Sequence, residues 1–329
     1  MTSPPLAPWR GRMQHLLARW NEPDVAAESL ERWLLQFEPA ERGIALRLAE
    51  CVELHAWPRL VQECRLLHQR VCHELASAGF DLERFSDVDF SRVFTAKSGD
   101  LISFVYRKAN RLPVTCFHNL EALDLEAAAG RALVILDDYI GSGSQFLLQA
   151  VARSPTNQAL LRAYRHFCLA AVVVHDDARI KWRLLQRHGW EEVMAIEAQQ
   201  LSCMDFSADC AQLTAALASV DWHQGGLVAV QRDFPLPAHP QLQPSERQQV
   251  RRFLRQQQPD GASTSDFLLG HHTFFYGAPN ALPRVLLPLF KRLEDFTLDP
   301  RDRLRGLPAD MLEYDINNRD PVTLFDRSS

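Results

Sequence analysis

Three amphipathic stretches open the pattern of apolar and polar positions. Leu30, Trp33, Leu34 and Phe37 share one face of a helix that Asp24 would cap, and Ile44, Leu48 and Val52 recur beyond Pro39. Leu60, Cys64, Leu67, Val71 and Leu75 form the apolar side of a third helix, begun near Pro58 and stopped at Gly79. From about Phe90 the rhythm changes to short apolar runs between loops. Ser91 to Thr95, Pro113 to Phe117, Leu133 to Leu136, Cys168 to Val174 and Glu192 to Ile196 read as strands. Leu101 to Asn110, a segment from Phe146, and Ile180 to His188 read as helices. Buried strands alternating with helices predict an α/β fold with a doubly wound, mainly parallel sheet.

Beyond Pro235 the pattern weakens to a polar helix over Gln241 to Gln258, a strand-like His272 to Tyr276, a helix from Arg284 to Phe296 and an irregular tail from Asp299. The expected organisation is a flexible arm over 1–20, a helical domain over 21–82, an α/β core over 83–235 and a C-terminal region over 236–329. The helical domain reads either as a helix-turn-helix or winged-helix module or as a cap on the core or on a partner. It carries no basic recognition helix.

Of the 329 residues, 47% are hydrophobic and 23% charged, enough apolar material for a full core without disulfides or structural metal. The net charge of −5 speaks against indiscriminate nucleic-acid binding, although a local basic face is compatible with it. No apolar run approaches a membrane span and the N-terminus has no apolar signal core, so no membrane role and a cytoplasmic location are expected. Seven cysteines form no CxxC pair. Cys64, His68 and Cys72 fall on one helix face, which reads as core packing over a metal site that lacks a fourth ligand.

Leu133 to Gln145 carries the candidate chemistry. A buried strand delivers Asp137 and Asp138 to its C-terminal end, the edge where open α/β sheets bind ligands. The following turn, Gly141-Ser142-Gly143-Ser144-Gln145, combines glycines that allow close backbone approach with hydroxyl donors at a helix start. Such a turn suits a phosphate, and the two acids suit hydroxyls or a cation beside it. A phosphorylated sugar meets both demands.

This arrangement resembles the PRPP-binding motif of type I phosphoribosyltransferases. The resemblance implies that Asp137 and Asp138 hold the ribose hydroxyls and that Gly141, Ser142, Gly143, Ser144 and Gln145 cradle the 5′-phosphate. Ser142 stands where the family has Thr, and Gln145 where many members have a second Thr. Lys97, Ser98 and Gly99, between a strand and a helix upstream, match the place of the pyrophosphate loop. Mg²⁺ would enter with PRPP, with Asp137 and Asp138 near it.

A closer similarity is to phosphoribosyltransferase-like proteins of bacterial conflict systems, some encoded beside retron reverse transcriptases. Those proteins combine an N-terminal helical or winged-helix segment, a motif close to Asp-Asp-aromatic-Ile-Gly-Ser-Gly, and a downstream Pro-Asn-x-Leu-Pro. Trp33 to Phe37, Asp137 to Gln145 and Pro279 to Pro283 match these in order. The resemblance implies an anti-phage effector that transfers a glycosyl group or cleaves a glycosidic bond; a toxin-like effector held inactive in a complex is a further expectation. Its partners would be a reverse transcriptase with its msDNA, another defence protein, or nucleic acid. The alternative is a non-catalytic regulatory or DNA-associated module that senses PRPP or a nucleotide.

The C-terminal region would supply a hood over the base or acceptor, with His272, Tyr276, Pro279 and Asn280 as candidates and His175 lining the same edge. His271 is weighed with them. Arg247, Arg251, Arg252 and Arg255 make a basic helical face, for phosphate or nucleic acid or simply for solvent.

Overall fold

The computed structural model describes residues 4–21, 25–82, 85–92, 98–188, 193, 215–257, 269–276, 278–279 and 281–290. The chain divides into two compact units, one of Met1–Trp57 and Asp233–Asp299, the other of Pro58–Arg232 and Pro300–Ser329.

The first unit begins with a 3-10 turn, Pro4–Trp9, and helix α1, Arg10–Trp20. The expected arm over 1–20 is therefore helical from residue 4. The cause is a buried stripe of Leu6, Met13, Leu16 and Trp20, and the early prolines fit the 3-10 start rather than an extended chain. Helices α2, Ala27–Leu35, and α3, Arg42–Glu50, follow, and then strand β1, Glu53–His55. The helical face foreseen for α2 is buried, with Leu30, Trp33 and Leu34 at 1% exposure or less.

The second unit opens with helix α4, Trp57–Ser77, whose first residue belongs to the first unit. It continues through β2, Val88–Arg92; α5, Ser98–Ala109; β3, Ala132–Ile140; a π-helical segment, Gln145–Ala152; α6, Pro155–Ala163; β4, His166–His175; α7, Asp176–His188; and β5, Gly225–Asp233, whose last residue belongs to the first unit. The four strands form a parallel sheet in the order β2-β3-β4-β5. All ten residues of β4 are buried, as a central strand covered on both faces requires. On one face Leu133, Ile135, Phe167, Leu169 and Ala171 pack with Phe146, Leu147 and Val151 of the π-helical segment, Leu160 of α6 and Trp182 of α7. The opposite face, with Val134, Leu136, Cys168 and Ala170, is equally closed to solvent. On the β2 side Phe90 meets Tyr106 of α5 at 5.6 Å between ring centroids, and Asn110 Nδ2 donates to the Cys64 carbonyl of α4 at 3.2 Å.

At the N-terminal edge of the sheet a buried acid fixes the register. Asp89 accepts from Arg131 Nη2 at 2.6 Å and Nε at 2.8 Å, and from the Tyr164 hydroxyl at 2.9 Å. The expected strand over Pro113 to Phe117 is instead a 3-10 turn, Val114–Cys116, with a single bridge from Phe90 to Phe117. Pro113 has no N–H to give a ladder, and Val114 is 51% exposed. Glu192 to Ile196, Val193 apart, lies outside the described residues.

The chain then returns to the first unit with helix α8, Pro244–Gln256, strand β6, His272–Phe274, and a 3-10 segment, Arg284–Leu289. β6 pairs in parallel with β1, Glu53 opposite His272 and His55 opposite Phe274. Arg12 bonds Glu50 at 2.7 and 2.9 Å, and Arg47 reaches Glu50 and Glu246 at 3.2 Å each, which joins α1, α3 and α8. Trp33 Nε1 donates to the Val285 carbonyl at 2.7 Å. The described residues between 233 and 290 thus share a core with the N-terminal helices, although 236–329 was expected as a C-terminal region of its own. Leu242, Val250, Phe253 and Leu286 supply the apolar surface that α2 and α3 cannot bury alone. Among the described residues no helix is long and apolar enough to cross a membrane.

Candidate functional site

β3 carries Asp137 and Asp138 to its C-terminal end, as read from the apolar run before them. Asp138 is 7% exposed, and Asp137 is half-buried. Asp137 Oδ1 accepts from the Asp138 N–H at 2.9 Å, and Asp138 Oδ1 accepts from the Tyr139 N–H at 2.8 Å. The Ser98 hydroxyl, at the first residue of α5, also donates to Asp138 Oδ1, at 2.9 Å. Of the upstream triplet, Ser98 thus reaches the acid, Gly99 is buried in α5, and Lys97 lies outside the described residues. Asp100, one residue further on, forms a close ion pair with Arg92 at the end of β2.

The turn Gly141 to Ser144 is half-buried and Gln145 is exposed. Gly143 holds φ at +77°, in the left-handed region where a side chain is strained. Its carbonyl accepts from Leu147 N–H at 3.0 Å, an α-type turn that leads into the π-helical segment. The two serines turn inward. Ser142 Oγ donates to Ser144 Oγ at 2.8 Å and accepts from the Ser144 N–H at 3.3 Å. One backbone donor of the expected phosphate cradle is therefore directed at a hydroxyl of the turn itself.

Lys181 of α7 reaches this turn, its Nζ donating to Ser144 Oγ at 3.2 Å while the residue is only 2% exposed. Sequence reading overlooked it. The signal was present, because Lys181 stands among Ala178, Trp182 and Leu185 on the apolar face of its helix, where a cation is out of place.

His175 ends β4 beside the same turn and is fully buried. Its Nδ1 accepts from the Asp177 N–H at 3.2 Å, which assigns the proton to Nε2. That Nε2 is buried and has no hydrogen-bond partner among the described residues. Further along the edge, Arg232 of β5 bonds Asp176 at 2.8 Å, and this guanidinium holds the Asp176 carboxyl below its usual range. Burial lowers the Arg179 guanidinium's affinity for its proton, and the neighbouring charges of Arg232, Arg70 and Arg183 add to the effect. The C-terminal edge thus carries acids at the end of β3 and the start of α7, with Arg179, Lys181 and Arg232 beyond them.

No family model, curated protein or solved structure matches the chain.

Of the hood candidates, His175 alone belongs to the sheet unit. His272, Tyr276 and Pro279 belong to the other unit, and Asn280 lies outside the described residues. Tyr276 is buried against Phe274 at 5.4 Å, and the Pro279 carbonyl closes a turn by accepting from Leu282 N–H at 3.0 Å, so both have packing roles. His272 sits in a buried cluster with His55, His271 and Asp233. Arg251, Arg252 and Arg255 of α8 line a surface depression of about 510 Å³. On α4, Cys64 is buried, and His68 Nδ1 pairs with the Tyr106 hydroxyl at 2.8 Å.

Proposed function

We propose that the sheet unit binds PRPP, or a related phosphorylated ribosyl nucleotide, at the C-terminal edge of β3, as a phosphoribosyltransferase-type effector of anti-phage defence. One observation carries the site: Ser98 converges on Asp138 and Lys181 converges on Ser144, on either side of one strand end. Open parallel sheets bind ligands at this edge. A buried ammonium against a small-residue turn supplies the positive charge an ester phosphate needs, whatever Lys97 contributes. The Nε2 proton of His175 is a donor that a ligand oxygen would satisfy.

In the transferase reaction a nitrogen nucleophile forms a bond to the sugar C1 as the C1–O bond to pyrophosphate breaks. Pyrophosphate leaves with the bonding electron pair, and the nucleophile's proton passes to solvent. The Asp137 and Asp138 carboxylates would hold the ribose hydroxyls and lower the energy of the positive charge that develops at C1. They are hard oxygen donors, the type Mg²⁺ accepts, and the ion would neutralise the departing pyrophosphate.

A second reading, a PRPP or nucleotide sensor without turnover, draws support from Asp138, whose Oδ1 is engaged by both Ser98 and the Tyr139 N–H. An acid whose Oδ1 already accepts from two donors is held in place and less free to move a proton, as binding without turnover requires.

Calorimetry with PRPP and Mg²⁺ tests the site. Binding should weaken at least tenfold in Asp137→Asn/Asp138→Asn, and equal heats in both proteins remove the site from consideration. Pyrophosphate release then separates the enzyme from the sensor. Growth impairment on expression, relieved by Asp138→Asn, supports the effector role, and toxicity unchanged by that substitution counts against it.

A further inference from the structure

Three segments of the first unit bring buried imidazoles and a carboxylate together. Asp233, at the end of β5, is 0% exposed; His271 and His272, at the start of β6, are 3% exposed; and His55, at the end of β1, is 0% exposed. Potential ligand atoms of Asp233, His271 and His272 all lie within 4.8 Å of one another, the only such trio of His, Cys, Asp or Glu among the described residues. The rings of His271 and His272 stand 4.4 Å apart between centroids.

The surroundings orient these groups. Asp233 Oδ1 accepts from the Phe234 N–H at 2.7 Å and the His271 N–H at 3.2 Å, which fixes the carboxylate on the backbone, and it lies 2.5 Å from His271 Nδ1. His272 Nδ1 meets His55 Nε2 at 2.8 Å, so Nε2 is the nitrogen with which His272 would coordinate. A ligand imidazole whose second nitrogen is held by a neighbouring group is the usual outer support of a metal site. Packing three imidazoles and a carboxylate into an apolar interior is costly unless their charge and lone pairs are satisfied together. A divalent ion satisfies them in one step.

We infer that Asp233, His271 and His272 form a binding site for a divalent first-row transition ion of the zinc class, with His55 positioning His272. Two imidazoles and one carboxylate suit zinc, whereas Mg²⁺ prefers an all-oxygen shell. Bonds of about 2.0–2.2 Å to a tetrahedral ion place its donors roughly 3.3 Å apart. Small side-chain rotations therefore bring the trio into range, with the Asp233–His271 pair opening as the ion enters. The ion would staple Asp233 to β6, and through His55 to β1. That role answers a local weakness, since β1 and β6 are three-residue strands in a two-stranded sheet, too little to be stable alone. The site does not depend on the nucleotide-binding reading.

The test uses the full-length, tag-free chain, stripped with a chelator and titrated with Co²⁺. One equivalent should give visible d–d absorption that Zn²⁺ displaces, and excess Zn²⁺ should raise Tm by several degrees. His272→Gln and Asp233→Asn should each weaken Co²⁺ binding at least tenfold. Absence of a saturable Co²⁺ spectrum in the wild-type chain overturns the site whether or not the variants fold. Binding that His272→Gln leaves unchanged overturns it as well.

Discussion

Ser98 Oγ lies 2.9 Å from Asp138 Oδ1, so the first turn of α5 holds the second acid of the strand-end pair. The bond ties the start of α5 to the C-terminal end of β3, the strand next to β2 in the sheet. Ser98→Ala removes one hydrogen bond to a charged group, with an expected cost of about 1–2 kcal/mol in stability. Its affinity for PRPP and Mg²⁺, read by calorimetry, should fall about threefold to tenfold as Asp138 loses its orientation. Unchanged affinity would show that the bond is structural only.

Gly143 has a left-handed backbone, although a Cβ there would meet Ala178 Cβ at an ordinary 3.5 Å. Space is available and conformation is the obstacle. Gly143→Ala should therefore cost about 1 kcal/mol in chemical denaturation. It should also weaken phosphate-ester binding, because relief of the strain moves the Ser142–Ser144 turn. Gly130 has a similar φ of +81° and open space around it, so Gly130→Ala is the control that should share the stability loss and keep the affinity.

Lys181 is the cation closest to the turn by hydrogen bonding among the described residues. Lys181→Met keeps an unbranched aliphatic stem and removes the charge. PRPP affinity should fall at least tenfold, and the salt dependence of binding should flatten. A variant that binds as tightly, with the same salt slope, would sever the turn from phosphate recognition.

His68 reports on acid stability. Burial pushes its pKa down to about 4, and its Nδ1 pairs with the Tyr106 hydroxyl. The unfolded chain takes up this proton near pH 6.5, whereas the folded chain resists it until about pH 4, so protonation favours unfolding throughout that window. The stability associated with neutral His68 is fully present above pH 6.5 and declines as pH falls toward 4. Tm measured across this range should fall less steeply in His68→Leu than in the wild-type chain. Parallel curves would assign the acid lability to other groups.

Asp89 acts at the far edge of the sheet from the candidate site. Asp89→Ala strands the Arg131 guanidinium and the buried Tyr164 hydroxyl, at a cost of about 3 kcal/mol. Tyr164→Phe loses only one bond of the set, about 1 kcal/mol. Denaturation midpoints measure both. Ligand affinity of the folded fraction should be unchanged in Tyr164→Phe.

The sheet was legible because β3 and β4 are unbroken apolar runs, a signature of strands buried on both faces, and because two acids and a glycine turn end β3. Lys181 was hidden by attention to the strand ends, although its place on an apolar helical face marks it. The arm was misjudged because three early prolines outweighed the spacing of Met13, Leu16 and Trp20. Local pattern could not reveal that α1–α3 share their core with α8 and Leu286, since that partnership is set by contacts distant in sequence. For the same reason His55 and Asp233 could not be joined to His271 and His272 from spacing alone.

The pairing of β1 with β6 has a consequence for synthesis. His55 and His272 are 217 residues apart, and the whole of β2 to β4 lies between them. A nascent chain leaving the ribosome can complete those sheet strands while Leu54 still waits for Thr273. A transcript cut short near Arg232 would yield a product with orphaned N-terminal helices, their apolar faces open to chaperones and proteases.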